Sequence, residues 1–156
     1  MKRFYSSEFH KSQLFFVVCT LLMLLSANLS AQIYVSETAI GNNDGISWTD
    51  AYTDLQAAID AASIGDEIWV AAGTYLPTDA PDENTAVPKD RAFHLNKNLK
   101  IYGGFDGTET MLSQRDWETN STFLSGDFME DDMVNGSGST LSITNNTENA
   151  YHVFIT

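Results

Sequence analysis

The chain has 156 residues, 43% hydrophobic and 19% charged, a balance that supports one packed domain of ordinary size and excludes a disordered tail. Lys plus Arg number 8 against 21 Asp plus Glu, a formal net charge of -13, and a surface that acidic repels phosphate backbones, which excludes nucleic-acid binding. One Cys and three His exclude a disulfide scaffold and a zinc-finger or His-rich metal site, so the fold has to come from apolar packing.

In chain order, Lys2, Arg3 and Lys11 precede a predominantly apolar run from Leu14 to Leu25, and the small, polar stretch SANLSAQ follows it. That is the order of a secretory signal peptide, and the run falls short of the roughly 20 residues a helix needs to cross a bilayer. A signal peptide over residues 1–31 is predicted, cleaved between Ala31 and Gln32, with cleavage after Ala27 as the alternative. The exported domain, residues 32–156, then has no Cys and no membrane span, and its expected place is outside the cell or on the cell surface.

A short strand is predicted at 33–35, followed by a loop rich in Gly, Asn and Asp. One helix is predicted over 54–63: Thr53 and Gln56 have capping-box spacing, Leu55, Ile59 and Ala62 share a face, and Gly65 supplies a stop. Strand-length pieces with alternating apolar residues follow at 66–75, 91–105, 121–127, 139–146 and 151–156. Between them lie polar stretches at 76–90, 106–120 and 128–138, and loops of that length inside a domain usually carry function or are mobile. The Asn-Gly at 135–136 sits inside such a stretch rather than between two strands, so a tight hairpin is not expected there.

The pieces DLQAAIDAASIGDEIWVAAGTYLPT, FHLNKNLKIYGGFDGTET, QRDW and TFLSGD, in this order, resemble the N-terminal part of secreted right-handed parallel β-helix proteins of the pectate-lyase-like superfamily. They are especially similar to large exported surface proteins of Bacteroidetes that use type IX secretion. The resemblance covers 33–156 and implies an all-β fold, the start of a right-handed parallel β-helix solenoid, capped by the short amphipathic helix. The chain stops at Thr156 inside an apolar strand without a polar cap, which predicts a truncated domain and self-association through the open end at Val153–Thr156.

For function, the expectation is a non-catalytic, adhesin-like surface module that binds a polysaccharide or cell-surface glycan. The alternative is the N-terminal fragment of a polysaccharide lyase or glycoside hydrolase whose active site lies beyond Thr156. No catalytic residue and no organic cofactor is predicted. The acidic group Asp127, Glu130, Asp131 and Asp132 is the candidate calcium site, because hard cations want several carboxylates converging in one loop, and APDEN at 80–84 is a weaker one. Asp106 and Glu109 could form an acid/base pair, Arg91 or Lys100 could stand where a lyase has its basic residue, and His94 and His152 read as surface residues. Trp48, Trp69, Tyr75, Tyr102 and Trp117 could offer stacking platforms for sugars.

Overall fold

A computed structural model describes residues 30–80 and 87–156; the first 29 residues of the expected signal segment 1–31 and all of APDEN but Ala80 lie outside the described residues. Strand β1 (Gln32–Val35) pairs in parallel with β2 (Glu67–Ala71), and β2 pairs in parallel with β5 (Lys100–Phe105), giving a three-stranded sheet. The in-register positions are chemically matched: Ile33, Ile68 and Ile101 lie side by side, and Tyr34, Trp69 and Tyr102 form the next row on the opposite face. Between Trp69 and Ala71 the register shifts, because Gly103 and Gly104 form a bulge before Phe105.

The isoleucine face is the core side. Val35, Leu55, Ala58, Ile59, Ala62, Ile68, Val70, Tyr75 and Phe93 form one buried cluster, in which helix α1 (Leu55–Ala61) contributes the stripe Leu55, Ala58 and Ile59, continued by Ala62. On the other face Trp69 stacks on Phe105 with centroids 4.6 Å apart and an interplanar angle of 11°. Trp48 sits 4.7 Å from Tyr34 and 5.5 Å from Phe105, so the loop after β1 closes this second, aromatic cluster.

The helix is capped differently from the sequence expectation. Asp54, not Thr53, is the N-cap and accepts from the Ala57 N–H at 2.8 Å. Thr53 donates its backbone N–H to Asn43 instead. Gln56 turns inward, accepting from the His94 N–H at 2.8 Å and donating to the His94 carbonyl at 3.3 Å, so a side-chain amide continues the strand ladder at that edge. At the other end Lys97 Nζ donates to the carbonyls of Ile59, Asp60 and Ala62 at 3.1, 2.7 and 2.9 Å.

Three two-stranded pairings complete the fold: β3 (Gly73–Tyr75) with β6 (Thr122–Leu124) and β4 (Phe93–His94) with β9 (Phe154–Ile155), both parallel, and β7 (Met133–Asn135) with β8 (Ser142–Thr144), antiparallel. Strand β9 pairs on one edge with β4, Phe154 beside Phe93 and Ile155 beside His94.

The expected all-β right-handed solenoid is corrected by this arrangement. The described residues form a mixed fold of one α-helix, three single-turn 3-10 helices and four separate small sheets, with strands of two to six residues and no continuous solenoid. The physical reasons are local. The stretch predicted as one strand over 66–75 breaks at Ala72, the 91–105 piece splits around 95–99, and the stretch 128–138 holds a strand, β7, that reverses into β8 through Gly136 at φ 77. The Asn-Gly at 135–136 therefore opens a hairpin, with a longer connection than the two-residue turns.

Candidate ligand-binding cleft

Strand β6 lies against β3 with Thr74 beside Phe123 and Tyr75 beside Leu124. Alternation sends Tyr75 into the core and leaves Phe123 outside, 60% exposed, next to the Thr74 hydroxyl. The Ser125 N–H continues the ladder to the Tyr75 carbonyl at 3.0 Å, and from there the chain turns outward into the acidic loop. Thr74, Phe123, Leu124, Ser125, Asp127 and Glu130 line an open cleft of about 370 Å³. One exposed ring, two hydroxyls and two carboxylates in one cleft are suited to a polyhydroxylated ring, with an apolar face to stack on and acceptors for hydroxyl groups.

The acidic loop is held from several sides. Asp127 Oδ1 accepts from the Met129 N–H at 3.2 Å and Oδ2 from the Asp132 N–H at 3.1 Å. Burial pushes the Asp127 carboxyl up, but the backbone N–H groups of residues 129–132 outweigh it and hold the group below the ordinary carboxylate range. It is ionised at neutral pH. Glu130 takes φ 54, a left-handed conformation uncommon outside glycine, at the rim of the cleft.

Of the sequence-predicted calcium residues, Asp127 and Asp131 come together, joined by Glu148, with one oxygen from each within 4.8 Å of the others. Ligand oxygens around one calcium ion lie at most about 5 Å apart, so the three could hold a hard cation. Glu148 Oε1 is shielded from solvent and has no hydrogen-bond partner among the described residues. Asp132 instead accepts from Asn149 Nδ2 at 2.8 Å, and Glu130 faces the cleft; neither belongs to the triad. Glu148 is brought in by the return of the chain after β8, where the Ala150 N–H donates to the Gly126 carbonyl at 2.8 Å. No local spacing in the sequence announces a ligand so far along the chain.

The other candidates are placed elsewhere. Glu109 is buried, 7% exposed, and its carboxylate accepts from the N–H groups of Asp106, Gly107 and Thr108, while Asp106 accepts from the Thr108 N–H and hydroxyl. The Thr108 hydroxyl, with its N–H, draws the Asp106 carboxyl below its ordinary value, the opposite of what a general acid needs. These two carboxylates lock a turn. Lys100 pairs with Glu67 at 3.0 Å, and Arg91 lies over the Phe128 ring, 5.9 Å from its centroid. His94 is half-buried at the Gln56 contact, and His152 is exposed.

Among the aromatics proposed as sugar platforms, Trp69 and Tyr75 are buried in the two clusters, and Trp48 donates its indole N–H to the Glu109 carbonyl at 2.9 Å. Trp117 is 64% exposed, with the Arg115 guanidinium 5.3 Å from its ring centroid and 5.3 Å from that of Tyr102. A second, smaller cleft of about 260 Å³ borders Trp48, Ile40 and Asp106. Phe123, the exposed ring of the larger cleft, was missed by sequence reasoning, although its place in TFLSGD, one residue before an inward Leu124, carries the alternation that exposes it.

No protein-family model, curated protein or solved structure matches the chain. The resemblance to secreted surface proteins accordingly rests on the quoted motifs alone. No helix among the described residues is long and apolar enough to cross a membrane.

Proposed function

We propose that the chain is a non-catalytic, exported surface module that binds a saccharide in the cleft between β6 and the acidic loop. The observation that carries this reading is the composition of that cleft: the exposed Phe123 ring beside the Thr74 and Ser125 hydroxyls and the Asp127 and Glu130 carboxylates. A pyranose ring stacks its C–H face on Phe123 and donates its hydroxyl protons to the two carboxylates. Calcium held by Asp127, Asp131 and Glu148 would fix the loop that forms one wall of the cleft, because Asp127 belongs to both. The export signal, the acidic charge and the Cys-free domain support a place outside the cell.

Calorimetric titration of the full chain with a panel of soluble neutral oligosaccharides tests this, once with calcium and once with chelator. Saturable binding that weakens at least several-fold in chelator is expected. Conversion of an oligosaccharide to products would contradict the non-catalytic reading, and no binding under either condition would contradict the cleft.

A further inference from the structure

The Asp66 carboxylate is buried, 7% exposed, yet among the described residues no Lys, Arg or His pairs with it. Its two oxygens are occupied by backbone donors: Oδ2 accepts from the Ser63 N–H at 2.8 Å and Oδ1 from the Ala31 N–H at 2.9 Å. A buried carboxylate without a cation is costly, and two neutral N–H groups offset only part of that cost. Ala31 is also tied in by its carbonyl, which accepts from the Glu67 N–H at 2.9 Å directly before β1 begins at Gln32. The compact unit that contains the sheets described above starts at this same residue.

We infer that export processing hydrolyses the Ser30–Ala31 peptide bond, and that Asp66 is the counter-ion of the Ala31 ammonium so formed. The inference rests on the export reading. Cleavage after Ala31 would remove both of the residue's backbone contacts, and cleavage after Ala27 would leave the Ala31 nitrogen a neutral amide and Asp66 without a cation. Ser30 is a small residue of the kind a signal peptidase accepts before the cut. In the step, a water oxygen bonds to the Ser30 carbonyl carbon and the C–N bond breaks. Ser30 leaves as a carboxylate on the leader and the Ala31 nitrogen takes up protons to become an ammonium, placed where its amide already meets Asp66 Oδ1.

The full chain expressed in a Gram-negative host, recovered from outside the cytoplasm and subjected to N-terminal sequencing and intact-mass measurement, is expected to begin at Ala31. An exported product beginning at Gln32 or Asn28 would overturn the assigned bond while leaving export standing. An unprocessed chain retained in the cytoplasm would overturn the export reading and this inference with it. The counter-ion role has its own readout, the rate at which an N-terminal-selective reagent acylates the α-amine at pH 7. Pairing that raises the ammonium's pKa by one unit lowers the free-amine fraction about tenfold, so acylation is expected about tenfold faster in Asp66→Asn than in the native protein. If Asp66→Asn does not fold, native protein compared with urea-unfolded protein is expected to show the same acceleration. Equal rates would overturn the pairing.

Discussion

At the scale of single residues, side-chain charges are used to finish backbone structure. Lys97 gathers three carbonyls at the end of α1, which satisfies acceptors the short helix leaves open and places a cation at its negative end. Lys97→Met is expected to cost about 1–3 kcal/mol, read as a lowered midpoint in urea denaturation with an unchanged slope. Glu130 works the other way. Its left-handed backbone suits glycine, so Glu130→Gly is expected to stabilise the protein by about 1 kcal/mol while weakening saccharide binding, a divergence that thermal melts and calorimetry together would show. Asp50, Asp106, Asp116 and Asp127 all have carboxyls held below their ordinary value, chiefly by local N–H and hydroxyl donors, and at Asp127 against the opposing effect of burial. A carboxylate depressed in the folded state contributes stability above the unfolded value of about 3.9 and loses it as pH falls through the folded one. The melting temperature is therefore expected to hold from neutrality to about pH 5 and to fall steadily below about pH 4; a flat profile down to pH 3 would contradict this.

At the scale of elements, strand β5 shows how a motif can be legible without its purpose. The pair Gly103 and Gly104 in IYGGF is visible as a break in a strand, and QRDW as a distinctive run, but nothing in their spacing says that they meet. They do: the Asp116 N–H donates to the Gly104 carbonyl at 2.7 Å, and a Cβ on Gly104 would come within 2.9 Å of the Trp117 Cα, at a residue whose φ is 94. Gly104→Ala is expected to destabilise by about 1–3 kcal/mol and to loosen Trp117, seen as increased quenching of its fluorescence by acrylamide. Helix α1 was readable because Leu55, Ile59 and Ala62 recur at helical spacing. Its N-cap, Asp54, bonds locally to Ala57 one position beyond the expected Thr53, whereas the partners of Gln56 and Lys97 were not readable because they lie 35 or more residues away. The same holds for the acidic loop: the sequence places Asp127 and Asp131 near each other, whereas Glu148 arrives only through the β7–β8 hairpin.

At the scale of the whole molecule, two apolar layers lie on either face of the three-stranded sheet, and the rest of the chain is attached by short pairings. Phe93 is fully buried where α1, β4 and β9 meet, so Phe93→Ala is expected to cost about 3–5 kcal/mol and to release the β4–β9 pairing. Apolar alternation revealed the strands but not how far each would continue. The stretches between them were long enough to fold on themselves through local turns and a hairpin, and the expected continuous coil gave way to separate small sheets. The outer face of β6 leaves an aromatic ring exposed beside carboxylates, and it is there that we propose a ligand binds. The measurement that tests that claim most directly is a saccharide array probed in calcium buffer with the native chain and with Phe123→Ala, a substitution at an exposed position. The account expects the native protein to bind a subset of glycans and Phe123→Ala to lose at least tenfold in signal at an unchanged melting temperature. Equal binding by the two proteins would contradict it.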